Sequence, residues 1–163
     1  MSRRSQDQAI LMMGDPDRAD RRNGKLKITL MDRSLYFKGL LLLTRQDRQI
    51  TSAEFQLMQK VGRCLDFEPG FCESTIKEIL ENDFIVDSPP VFSSPEIAAR
   101  FIKDGLTLGS CDHAILEAEL GWLQAIALAN GIELEPLVEA WNSRLADTAE
   151  QRLEAENFIF YDR

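Results

Sequence analysis

The feature that most constrains the fold is a repeat within the chain itself. At an offset of 65, residues 36–69 align with residues 101–134 and share nine identities in 34 positions. Chance gives about two. The identical pairs include Lys38/Lys103, Leu41/Leu106, Leu43/Leu108, Asp47/Asp112, Ile50/Ile115, Ala53/Ala118, Glu54/Glu119 and Gln59/Gln124. Conservative apolar pairs extend the match: Tyr36/Phe101, Phe37/Ile102, Phe55/Leu120, Met58/Leu123, Val61/Ile126 and Phe67/Ile132. Their spacing is helical, so each pair marks an equivalent buried face in two copies of one helical unit.

Each copy reads as helix, short polar elbow, helix, and then a third helix. In copy one the first helix runs from Asp32, a good N-cap, to about Arg45. Its counterpart begins at Ser94-Pro95-Glu96, with Ser94 as cap and Pro95 in the first helical position. Thr51-x-x-Glu54 predicts a capping box for the second helix, whose counterpart ends at Asn130-Gly131. The third helices start after Glu68-Pro69 and at Glu135-Pro136, the first presenting Phe71, Ile76, Ile79 and Leu80. Ser88-Pro89-Pro90 breaks the chain between copies. Repeats of about 32–82 and 95–146 thus lie inside a helical domain spanning 30–146. A leader (1–29) precedes it, and a last polar helix and an apolar tail (147–163) follow. No stretch shows the alternation and spacing of a sheet, and the fold class expected is all-α.

Charge separates these parts. The chain of 163 residues carries 19 Lys plus Arg against 27 Asp plus Glu, a net charge of −8. Residues 1–33 hold eight basic and five acidic side chains, net +3, which leaves −11 on the body. An acidic body repels phosphate, so a protein that coats nucleic acid is excluded for the helical domain. Ser2-Arg3-Arg4 superficially matches a twin-arginine signal, but the apolar run behind it, Ala9 to Met13, is too short for an export segment. The longest purely apolar run elsewhere, Leu40 to Leu43, is far short of a membrane span. Cys64, Cys72 and Cys111 are odd in number and lack metal-site spacing. They read as structural thiols in a reducing, cytoplasmic compartment.

The two elbows share D-x-x-I-x-x-A-E, carried by Asp47, Ile50, Ala53 and Glu54 and by Asp112, Ile115, Ala118 and Glu119. This motif resembles the signature of the TerB-like family, in which an aspartate–glycine elbow is followed by isoleucine and glutamate. Arg48 and His113 stand where that family has its glycine. The resemblance covers roughly residues 30–145. It implies a compact orthogonal bundle of about seven helices, a protein-interaction or tellurite-resistance-like stress role, and metal binding by the acidic elbow residues.

Two readings of those acids stand side by side. Asp47, Glu54, Asp112 and Glu119 would supply four carboxylates to Ca²⁺ or Mg²⁺ if the elbows meet. Alternatively, the aspartates bond turn amides and the glutamates cap their helices. His113, the single histidine, either ligates with Asp112 and Glu117 or faces solvent. Phosphate loops, nucleophile elbows and H-E-x-x-H are missing from the sequence, so a non-enzymatic module is expected. Trp122 and Trp141 match core spacing. The terminal Phe158, Phe160 and Tyr161 either dock on the chain's own helices or seat in a protein partner or in the second subunit of a homodimer.

Overall fold

The structure, a computed structural model, describes residues 25–46, 49–85 and 88–160. Strand β1 (Leu26–Ile28) leads into α1 (Leu30–Arg45), α2 (Ser52–Cys64) and α3 (Pro69–Glu81). After the proline-rich connector come α4 (Pro95–Gly109), α5 (Glu117–Ala129), α6 (Leu134–Asn142) and the short α7 (Ala149–Arg152). A 3₁₀ turn (Ala155–Asn157) and strand β2 (Phe158–Phe160) close the described chain. The described residues form a helical bundle of seven helices with one very small sheet.

The offset of 65 reappears in the helix boundaries. Helices α1, α2 and α3 begin at residues 30, 52 and 69, and α4, α5 and α6 at 95, 117 and 134. The ends of α2 and α5 are built alike as well. The N–H of Asp66 donates to Arg63 O and that of Phe67 to Gly62 O; Gly131 donates to Leu128 O and Ile132 to Ala127 O. Asp66 and Gly131, 65 residues apart, both sit at φ 66°. This is the left-handed turn that satisfies the last helix carbonyls, and glycine or aspartate enters it at low cost.

Several boundaries move from where the sequence places them. Thr29 caps α1, its hydroxyl accepting from the Asp32 N–H at 3.1 Å. Asp32 therefore lies inside the first turn, and its buried carboxylate accepts from the Ser93 N–H and hydroxyl, tying α1 to the connector. Helix α6 starts at Leu134, which leaves Pro136 in its first turn where no intrahelical N–H is missed. The polar helix expected after Ala146 shortens to four residues before the chain turns.

Helices α1 and α4 form the centre. Tyr36, Phe37, Leu40, Leu41 and Leu43 of α1 and Phe101, Ile102 and Leu108 of α4 are buried. The two backbones approach so closely that a Cβ on Gly39 would meet the Phe101 ring at 2.8 Å. Trp122 reaches the same point from α5 and donates to the Gly39 carbonyl at 3.2 Å. The tail then wraps this centre. The Asp104 carboxylate on α4 accepts from the Tyr36 hydroxyl, from Glu154 N–H at 2.6 Å and from Ala155 N–H at 3.1 Å.

Beyond that anchor β2 runs parallel to β1, pairing Leu26 with Phe158 and Ile28 with Phe160. This two-strand sheet is a small addition to an all-α bundle. Three-residue strands carry too little alternation to announce themselves. The pairing also locates the tail aromatics. Phe158 is buried at 5% exposure, its ring 5.3 Å from Tyr36, and the half-buried Phe160 lies beneath the Arg33 guanidinium. Both rings pack against the chain's own residues. Tyr161 and residues 1–24 fall outside the described residues.

Candidate functional site

Glu54 and Glu119 occupy the same position, the third residue of α2 and of α5. Both are fully buried. Glu54 Oε1 accepts from the Thr51 N–H at 3.3 Å and from the Thr51 hydroxyl at 3.1 Å, while Thr51 Oγ1 accepts from the Glu54 N–H. Glu119 Oε1 accepts from the Leu116 N–H at 2.9 Å. Leucine offers no side-chain acceptor, so the second copy keeps half of the reciprocal box. The capping role of both glutamates is therefore built into the fold.

The fold also brings the two elbows together. His113, in the second elbow, places Nε2 3.4 Å from Asp112 Oδ1 and 3.9 Å from Glu54 Oε1 of the first copy. One ligand atom each from Glu54, Asp112 and His113 lie within 4.8 Å of one another. Glu54 supplies a buried carboxylate, His113 is half-buried and Asp112 lies at the rim. The other ring nitrogen, Nδ1, is 2.8 Å from the Ala114 carbonyl. A carbonyl only accepts, so Nδ1 carries the proton and Nε2 turns its lone pair toward the two carboxylates. A proton or a cation at that point relieves the repulsion.

Electrostatics mark the same spot. Burial pushes the Cys111 thiol up to about 12, and the charges of Asp112, Glu54 and Glu119 add to the shift. Cys111 is thus held as a thiol at neutral pH, unlike the thiolate that nucleophilic chemistry needs. The His113 imidazole is raised from its ordinary value, first by the Ala114 carbonyl and further by Asp112, Glu119 and Glu54, against a smaller opposing effect of burial.

Of the acids proposed from sequence, Glu54 and Asp112 meet across the elbows, and Glu119 contributes to the field without joining the three-atom cluster. Asp47 lies outside the described residues. Glu117 is likewise not part of the cluster. His113 turns Nε2 toward Glu54 because the second elbow lies over the start of α2. Comparison with protein-family models, with curated proteins and with solved structures finds no match.

Proposed function

We propose that this chain is a non-enzymatic helical module that binds one divalent metal ion between its two elbows. The observation that carries the reading is the convergence of Glu54 from one copy with Asp112 and His113 from the other. Imidazole and carboxylate together suit a borderline ion such as Zn²⁺, with water completing the coordination. The cluster brings two carboxylates among the described residues, fewer oxygens than the six or more that Ca²⁺ takes. The capping bonds hold Glu54 in place before any ion arrives, which lowers the cost of assembling the site. Three free thiols suit a reducing cytoplasm.

The test is calorimetry and thermal unfolding with Zn²⁺, Mn²⁺, Ca²⁺ and Mg²⁺ on the full chain. Zn²⁺ binds at one ion per chain and raises Tm; an ion at one hundred times its Kd adds about 2.7 kcal/mol. Asp112→Asn with His113→Ala, both away from the buried core, abolishes the effect. Absence of heat and of a Tm shift with every ion refutes the proposal.

A second reading, an interaction module, is favoured by a different observation, an open apolar groove along α1 and α3. Among the described residues no helix is long and apolar enough to cross a membrane.

A further inference from the structure

The groove is lined on one side by Phe37, Phe67, Phe71, Ile79 and Ile85, enclosing about 360 Å³. It continues past Ile85 into a second depression of about 450 Å³ that reaches Leu35, Leu42, Pro90 and Val91. Lys38 and Ile85 line both halves, so the two are continuous. Its lining includes apolar side chains left in water, Phe71 at 50% exposure and Val91 at 62%, and the neighbouring Phe84 is 93% exposed. Phe84 and Glu78 line a third, shallow depression beside the first. A run of large exposed apolar groups around a trough is the mark of a recognition surface.

Charge indicates what fits there. Glu78, Glu81 and Asp83 gather at the C-terminal end of α3, and all three are exposed. The carbonyl end of a helix already carries partial negative charge, and α3 has no basic side chain in its last turn. Acidic groups at that end cost free energy in the isolated chain, and Lys or Arg from a partner removes the cost. The Asn82 side chain accepts from the Phe84 N–H at 2.9 Å, which holds the acidic turn in shape.

We infer that this groove receives a basic amphipathic helix of a partner protein, its apolar face on Phe71, Ile79 and Ile85 and its Lys and Arg residues along Glu78, Glu81 and Asp83. The inference rests on the interaction reading and specifies its partner chemistry. Such a helix places apolar anchors at i, i+3, i+4 and i+7 along the trough. Lys38 is the one cation among the described lining residues, so the helix presents a neutral or acidic residue above it.

The probe is an 18-residue helical peptide of Leu and Lys, titrated into the isotope-labelled full chain, with its Leu/Glu counterpart as control. The Leu/Lys peptide is expected to shift the resonances of Phe71, Ile79 and Ile85, and the Leu/Glu peptide to bind at least about tenfold more weakly. Glu78→Lys with Glu81→Lys, on exposed positions that leave the fold intact, weakens the Leu/Lys peptide by about tenfold or more. Equal binding of both peptides, or shifts confined to other surfaces, overturns the inference. So does self-association of the chain that is lost in Phe71→Glu, since a second copy is then the occupant. Photo-crosslinking from position 84 in cells separates the two levels. Capture of an acidic or uncharged segment there leaves the interaction reading standing and refutes the basic helix.

Discussion

Asp104 makes the stability of this protein fall as pH rises, and replacing it with asparagine removes that dependence. The carboxyl is fully buried on α4. Burial raises its pKa from 3.8 to about 7, even though the Tyr36 hydroxyl and the Glu154 and Ala155 amides pull it down by bonding the charged form. The charge of Glu154 raises it further, and burial and Asp104 in turn raise the Tyr36 phenol well above its usual value. The folded chain therefore holds the Asp104 proton more tightly than the unfolded chain does. Its contribution is complete below pH 3.8 and is lost as pH rises through 7. Between pH 8 and pH 5 linkage gives about 3 kcal/mol in favour of the acidic side. Asp104→Asn cannot titrate, and its amide N–H₂ faces donors where Oδ2 faced the Tyr36 hydroxyl and the Ala155 N–H. Urea unfolding of both proteins at pH 5, 6, 7 and 8 measures the difference directly. The wild type gains about 3 kcal/mol more than the variant on going from pH 8 to pH 5, and other carboxylates cancel because both chains share them. Parallel stability profiles for the two proteins would refute the reasoning.

Two other perturbations test the packing. Gly39→Ala sets a methyl 2.8 Å from the fully buried Phe101 ring and costs about 1–3 kcal/mol; unchanged calorimetric Tm contradicts the close approach of α1 and α4. Phe158→Ala removes a ring that packs on Tyr36 and costs about 3–5 kcal/mol in denaturant unfolding, whereas a tail reserved for partners would show almost no loss.

What the sequence made legible was local. Thr51, Glu54, Ser94, Pro95 and Gly131 act within a few residues of themselves, and each behaves as its chemistry predicts. The repeat was legible because it lies in the order of residues. Asp32 misled because aspartate is favoured both as a cap and in the first turn, and only the neighbouring Thr29 decides between them. Phe71 falls on the apolar face of its helix, but helical spacing identifies such a face without saying whether another element covers it. Asp104 sat in view between Ile102 and Leu106 on an apolar helix, a signal of a buried polar anchor that needed the tail's position to interpret. The elbow cluster was half legible. Equal spacing of Asp and Glu identified two elbows, but their convergence depends on how α2 and α5 pack, and no pattern along the chain encodes the 3.9 Å between Glu54 and His113.

The parallel pairing of β1 with β2 has a mechanical consequence. In a parallel pair, the chain enters β1 at one end of the ladder and leaves β2 at the other. Tension applied across the two strands therefore slides them along their common axis, and every cross-strand bond bears load at once. An antiparallel pair arranged to peel would yield one bond at a time. The clasp, with Asp104 gripping the turn behind it, makes pulling the bundle open from its two strands harder than the length of three-residue strands suggests, and it binds both halves of the repeat into one unit that gives way together.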